Sequence, residues 1–430
     1  MNKMVYNKLI VLPTICKLRT SESHNCITFF FMKKCLLHSG YMQLLHQNCG
    51  TITTTEVTDE TNSSKIIKNN NQIPSIFYKH LKNVNWKIRN KILQNYLTLS
   101  KNMADPCLIS SKVGNNFVAL IKDDLLENLC HVIELNPGFG ILTESLLKAG
   151  VPFINLYEKY NEFYPELHNL SEKYPNRVNI KRVNLLKMSK ILNLCSTSES
   201  DTGLGELMDN VIQRNWEDKS CMQIIGTTTK VMFIRHLIIS VVFQTGFMMY
   251  GRPIFYLALP PSILNKFTYP SKQITTNRIM FHILFDYKIF GTLDRKGFIP
   301  WLKNTKAKNN NRNHIVDDSK VLYVVKLEPK SNLFTLFNGK ENVLYFWHFI
   351  RHHFYKPSLR VIPAMEKIIP GCGIKLIKKN YTIFTEFGDL DPNQAYRLFM
   401  DFVSWPEFKE STFLHSASDI KKTYDPYAEE

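Results

Sequence analysis

Two carboxylates and two glycines are the residues of this chain whose types and spacing could do chemistry together. Glu134 ends a short apolar run (Val132, Ile133), and the turn Asn136-Pro137-Gly138-Phe139-Gly140 follows it. Glu158 ends a second run, residues 152–157. A strand, a glycine turn, a helix opening at Ile141 and an acid about twenty residues beyond are the parts of a ligand site at the carboxyl ends of parallel strands. Glycines at 138 and 140 would let backbone approach a ligand with no Cβ in the way. Glu158 falls where an acid takes ribose hydroxyls. A third group is less usual: the strand-like residues 222–225 run into Gly226-Thr227-Thr228-Thr229, which offer hydroxyls and no charge. His348 and His352 have metal-ligand spacing on a helix, but no acid lies between them and no third ligand is evident, so no metal is expected.

These groups need a scaffold, and the pattern from 105 to 330 supplies one. Strand-like and helix-like stretches alternate there, as in an α/β domain. After Glu158 a polar helix runs to about Lys173, and residues 178–184 read as a third strand. Residues 254–259 form a buried strand closed by Pro260-Pro261, and 321–327 form the last one; 196–205 is a Ser/Gly-rich loop. Residues 231–250 are strongly apolar, but Arg235, His236 and Gln244 interrupt them. No uninterrupted run reaches the roughly 20 residues a bilayer crossing needs, so a buried helix is expected and no membrane span. Asp391-Pro392 before 395–403 reads as a capped helix start.

Charge and composition constrain the partners. A formal net charge of +17 over 430 residues points to a polyanion, most often nucleic acid. Residues 61–104 hold eight bases, Lys87, Arg89 and Lys91 among them, and no acid; aromatics are interleaved. That pattern favours phosphate contact over a plain solvated helix face. The loop 302–314 adds Lys303, Lys306, Lys308 and Arg312, and the segment after 345 adds Arg351, His353 and Arg360. Residues 340–379 carry eight Lys/Arg against two acids; residues 380–430 reverse this with ten acids against four bases. An acidic tail of that kind can dock on a basic partner, shield a nucleic-acid surface or simply solubilise. Residues 1–50 contain six Lys/Arg and a single acid, Glu22, between apolar patches, which is the composition of a mitochondrial presequence. The polar stretch 51–75 reads as a linker. Nine cysteines with no CxxC pair argue for reduced thiols.

The motif residues 134–143 resemble the S-adenosylmethionine loop of the rRNA adenine N6-dimethyltransferase family. Phe298-Ile299-Pro300-Trp301 and residues 323–329 resemble the end of that family's catalytic domain. Residues 345–353, with Arg360-Val361-Ile362-Pro363 and Ile369-Pro370-Gly371-Cys372-Gly373, resemble its mitochondrial transcription factor B branch, the second paralogue in particular. The resemblance spans roughly residues 76–410. It implies a Rossmann-like S-adenosylmethionine-dependent methyltransferase domain over 76–330 and a small, mostly helical C-terminal domain over 331–430. It implies a cofactor held by Met103, Glu134, Asn136, Gly138, Gly140, Glu158 and Asn184. Its implied partners are the single-subunit mitochondrial RNA polymerase and promoter DNA, in the nucleoid of the matrix, with small-subunit rRNA as the substrate of an active enzyme.

The chain departs from the family's pattern where methylation is done. The family carries Asn-Leu-Pro-Tyr or Asn-Leu-Pro-Phe after the fourth strand, to hold the target amino group and stack on the flipped base. Gly226, Thr227, Thr228 and Thr229 stand there instead, with neither amide nor π-face. Stacking alone is worth about 1–3 kcal/mol per base, so adenine capture is expected to be weak or lost. Asn136 replaces a glycine and Asn184 an acid. The N-terminal cofactor motif matches Asn102-Met103-Ala104-Asp105-Pro106 by spacing or Gly114-Asn115-Asn116-Phe117 by letters. Promoter opening on a degraded methyltransferase site is therefore the first expectation. An active rRNA dimethyltransferase is the second, and a ribosome-assembly module without catalysis the third.

Overall fold

The structure is a computed structural model that describes residues 86–89, 105–187, 208, 211–268, 274–301 and 318–424. The expected presequence and linker, Met103, Lys91 and the loops at 196–205 and 302–314, with Lys303, Lys306, Lys308 and Arg312, lie outside those residues. Of the acid-free basic run, one helical turn at Trp86–Arg89 is described; Ile88 packs against the core and Arg89 is exposed.

Nine strands are described: β1 (Cys107–Leu108), β2 (His131–Leu135), β3 (Ile154–Tyr157), β4 (Val178–Lys181), β5 (Met222–Thr227), β6 (Pro253–Leu259), β7 (Phe285–Asp294), β8 (Phe298–Ile299) and β9 (Val321–Pro329). Seven of them make one sheet in the order β4-β3-β2-β5-β6-β9-β7, and β1 pairs separately with β8. Neighbours from β4 to β6 are parallel; β9 runs antiparallel to both β6 and β7. The chain moves outward from β2 to β4, then returns to the other side of β2 with β5. The reversal between β2 and β5 is the switch point at which such sheets bind ligands.

The central strands read as continuous apolar runs because both faces are covered. Alternate residues serve the two faces. Ile254, Tyr256 and Ala258 of β6 join a core beneath α1 (Ser111–Glu127) and α2 (Ile141–Lys148). Phe255, Leu257 and Leu259 join the opposite one. The helix α3 (Tyr164–Lys173) follows β3. The helix α4 (Val231–Phe243) covers the second face, with Phe233, Ile234, Leu237, Ile238 and Val241 buried. By length and composition Val231–Tyr250 could cross a membrane, but Gln244 turns left-handed at φ 54° and breaks it into a core helix and a short 3-10 turn. Next come α5 (Pro261–Thr268) and α6 (Thr276–Leu284).

Past β9 the described residues are mostly helical: α7 (Lys340–His353), α8 (Val361–Glu366), α9 (Gly373–Ile377), α10 (Pro392–Ser404) and α11 (Thr412–Tyr424). Phe346, Phe349, Phe399 and Phe402 continue the core that begins under β5 and β6. Asp391 caps α10 by accepting the Gln394 amide, with Pro392 at its first turn. This is a Rossmann-like α/β architecture with a small, mostly helical C-terminal part.

The third strand is shorter than its sequence reads. It stops at Lys181, and Asn184 lies in the loop beyond, its side chain accepting the Leu186 amide. Two acids of the C-terminal segment are ion-paired within the helical part, Glu407 with Lys375 and Asp401 with Lys379.

Candidate cofactor and nucleic-acid site

Both carboxylates end up buried at the carboxyl ends of neighbouring parallel strands. Glu134 is 1% exposed and accepts the Thr143 hydroxyl at 2.7 Å. Burial pushes its carboxyl up to about 8, with the nearby Glu158 charge pushing the same way and the Thr143 bond opposing. Glu158 accepts three backbone N–H groups: Gly138 at 3.0 Å on one oxygen, Lys159 and Tyr160 at 2.8 Å on the other. Burial raises its carboxyl too, partly offset by those amides. Asn136 bends the loop with φ 51° and donates its backbone N–H to Tyr157 O at 2.9 Å.

What lies beside the loop glycines is the protein itself. Gly138 has φ 58°, and a Cβ there would lie 2.3 Å from Cys107 Sγ of β1. Gly140 has φ 70°, and its Cβ would meet Leu170 and Leu167 of α3 at 3.0 and 3.2 Å. The turn thus needs glycine for backbone angle and packing. Gly138→Ala is expected to cost about 2–4 kcal/mol from a left-handed alanine plus overpacking. Cys107→Ala in the same chain should return about half of it, as read by urea unfolding; no rescue would mean that Cys107 is not the obstacle.

The carboxyl end of β5 is closed by internal contacts. Gly226 pairs with Leu135, and a Cβ there would lie 3.0 Å from Leu135 Cβ and 3.1 Å from its carbonyl oxygen. Thr228 is fully buried and donates its hydroxyl to Asp105 at 3.3 Å; Lys230 ion-pairs with the same Asp105. Thr227 is buried as well. Of the two candidate N-terminal motifs, the one matched by spacing thus places Asp105 at the site. Gly114 and Asn115 sit inside α1, where Asn115 accepts the Ser145 hydroxyl and Phe117 is fully buried.

The fold and the resemblance imply S-adenosylmethionine, and the groups present fit it. A carboxylate offers about four acceptor positions, and the three amides on Glu158 leave one for a ribose hydroxyl. Asn136 Oδ1 and Thr229 Oγ1 are buried without a hydrogen-bond partner. Glu134 is a buried acid with no basic side chain on it in the described contacts, which suits a cationic ligand.

On the C-terminal part, Arg351 is exposed and stacks its guanidinium over Trp347 at 4.5 Å, and exposed Arg360 lies over Phe384 at 5.4 Å. His353 corrects the expectation of a nucleic-acid contact. It is 1% exposed, stacks on Phe387 at 4.9 Å and 3°, and neither ring nitrogen has a partner. It occupies the apolar face of α7 with Phe346, Phe349 and Ile350, at the i, i+3, i+4, i+7 spacing that marks a core stripe. That spacing is present in the sequence, beside the bases Arg351, Lys356 and Arg360. His348 meets Ser416 Oγ at 3.0 Å and Phe413, and no metal-ligating cluster occurs among the described residues. A cavity of about 560 Å³ gathers Lys356, Arg360 and Lys367 with His352 and Tyr355, a basic concavity that the sequence did not define.

No protein-family model matches the chain. It is 29% identical over 331 residues to dimethyladenosine transferase 2, mitochondrial, of Drosophila melanogaster, covering 66% of this chain and 72% of that one. It is 22% identical over 300 residues to the protein of the same name from Mus musculus, covering 65% and 74%. Among solved structures, a dimethyladenosine transferase from Plasmodium falciparum superposes with a TM-score of 0.42 at 11% identity, covering 69% of this chain and 97% of that one. The curated relatives that this chain resembles are thus mitochondrial dimethyladenosine transferases, of the rRNA adenine dimethyltransferase family.

Proposed function

We propose that this chain is a mitochondrial matrix protein of the nucleoid that helps the single-subunit mitochondrial RNA polymerase melt promoters and hold them open. It does so on a methyltransferase fold whose base-methylating end has been given up. The observation that carries this reading is the carboxyl end of β5. Where a dimethyltransferase captures adenine with an amide and an aromatic ring, this chain has Gly226 packed on Leu135 and Thr228 tied to Asp105. A bound cofactor would supply an electrophilic methyl group. Glu158 would orient its ribose, Glu134 would face its positive charge, and no aromatic at 226–229 would hold a base against it.

The charge distribution supports the nucleic-acid half of the reading. Arg351, Lys356, Arg360 and Lys367 gather on the helical part. Lys87, Arg89, Lys91 and the 302–314 bases add to the same net charge. A protein that prefers separated strands stabilises the open promoter in proportion to that preference. Duplex DNA with a central unpaired bubble should therefore bind at least about tenfold more tightly than the closed duplex, with a steep salt dependence. Equal affinity for both would remove strand capture from the account.

An active rRNA dimethyltransferase is the second reading, favoured by Glu134 and Glu158 standing in place and by the names of the relatives. Transfer of labelled methyl groups to small-subunit rRNA would establish it.

A further inference from the structure

Four of the seven large apolar side chains that are more than half exposed in the described residues lie within one short stretch. They are Ile374 (67%), Ile377 (55%), Ile383 (54%) and Phe384 (67%). Ile374 and Ile377 share one side of α9. The Tyr381 N–H bonded to Leu376 O folds the following turn back beside that helix end. Phe384 is then held by Arg360, whose guanidinium lies 5.4 Å from its ring. Residues 374–384 contain three lysines and no acid. Lys375 and Lys379 are paired with Glu407 and Asp401, whereas Lys378 and Arg360 are exposed and carry no ion pair among the described residues.

From this we infer that the α9 corner is a peripheral docking surface for an anionic lipid bilayer. Aliphatic side chains standing out from a turn gain by entering the acyl boundary, and flanking bases gain at anionic headgroups. Nucleic acid would satisfy the bases but leave three isoleucines wet, because bases stack on aromatic faces. Isolated exposed apolar residues are ordinary, and four of them within eleven residues of chain, with bases among them, are not. Such docking inserts side chains from one corner only and needs no spanning helix.

Full-length protein is mixed with vesicles of phosphatidylcholine alone and of phosphatidylcholine with about one-fifth cardiolipin, and partitioning is read by co-sedimentation. Binding is expected to the cardiolipin vesicles only. Ile374→Ser, Ile377→Ser and Ile383→Ser together should weaken it by about tenfold or more, with unchanged thermal midpoint and unchanged DNA affinity. As a second readout, the Phe384→Trp variant should show a blue-shifted indole emission on the same vesicles. Absence of binding, equal binding by the triple variant or an unshifted emission from the Phe384→Trp variant would overturn the inference. So would dimerisation of the wild-type chain that the triple variant abolishes, because that would assign the corner to a second copy.

Discussion

Glu134→Gln is expected to stabilise the folded chain at alkaline pH and to do little near pH 5. Burial holds the Glu134 carboxyl at about 8 against an ordinary 4.5. Between those values the folded chain keeps a proton that the unfolded chain has released, so stability falls as pH rises through the window. At about 1.4 kcal/mol per unit, the loss by pH 8 is on the order of 4 kcal/mol. Glutamine keeps an acceptor for the Thr143 hydroxyl and never ionises, so unfolding free energy measured across that range should lose its downward slope. A uniform destabilisation at every pH would instead make Glu134 an ordinary structural acceptor. The same burial couples ligand and proton: a cationic ligand at Glu134 draws the carboxyl toward ionisation, so its binding should release a proton to the buffer at neutral pH.

The second large effect has the opposite sign. Burial, with His352 and His348 adding to it, holds His353 down to about 3 from an ordinary 6.5. Below 6.5 the unfolded chain takes up a proton that the folded chain refuses, so stability is lost as pH falls toward 3. The loss approaches about 4 kcal/mol at the bottom of that window. His353→Phe should remove this part of the acid lability and move the acid-unfolding midpoint down. At neutral pH it should also relieve about 1–3 kcal/mol of cost from ring nitrogens that have no partner. His348, pushed down to about 4 mainly by burial, keeps the remainder of the acid sensitivity in place. An unchanged acid midpoint would show that His353 is hydrated in solution.

Both residues were visible in the sequence, but only one was visible in its role. Residues 131–150 announce a strand, a glycine turn and a helix because glycine spacing and apolar runs are local signals. The two acids follow from the strands that carry them. The protonation state of Glu134 does not, since it depends on how completely α2 and the loop exclude water. Gly138 was legible as a glycine of the turn, whereas its neighbour Cys107 comes from thirty-one positions earlier in the chain through the β1–β8 pairing. The Asp105 contacts with Thr228 and Lys230 join residues 123 and 125 positions apart, which no local pattern records. The edge strand β7 was not marked out either. Its outward residues Tyr287 and Ile289 blur the alternation that usually exposes a half-buried strand. Arg351 and Arg360 reach the surface as their charge implies, while His353 obeys the helical period and points inward.

The measurement that bears most directly on the central claim is promoter-dependent run-off transcription with the mitochondrial polymerase. A linear duplex is compared with the same template already unpaired at the start site. The account predicts that this chain is required on the duplex and dispensable on the pre-melted template, with the requirement unaffected by omitting S-adenosylmethionine. Equal transcript from both templates with and without the chain would contradict it, and the retained Glu134 and Glu158 would then belong to a working rRNA methyltransferase.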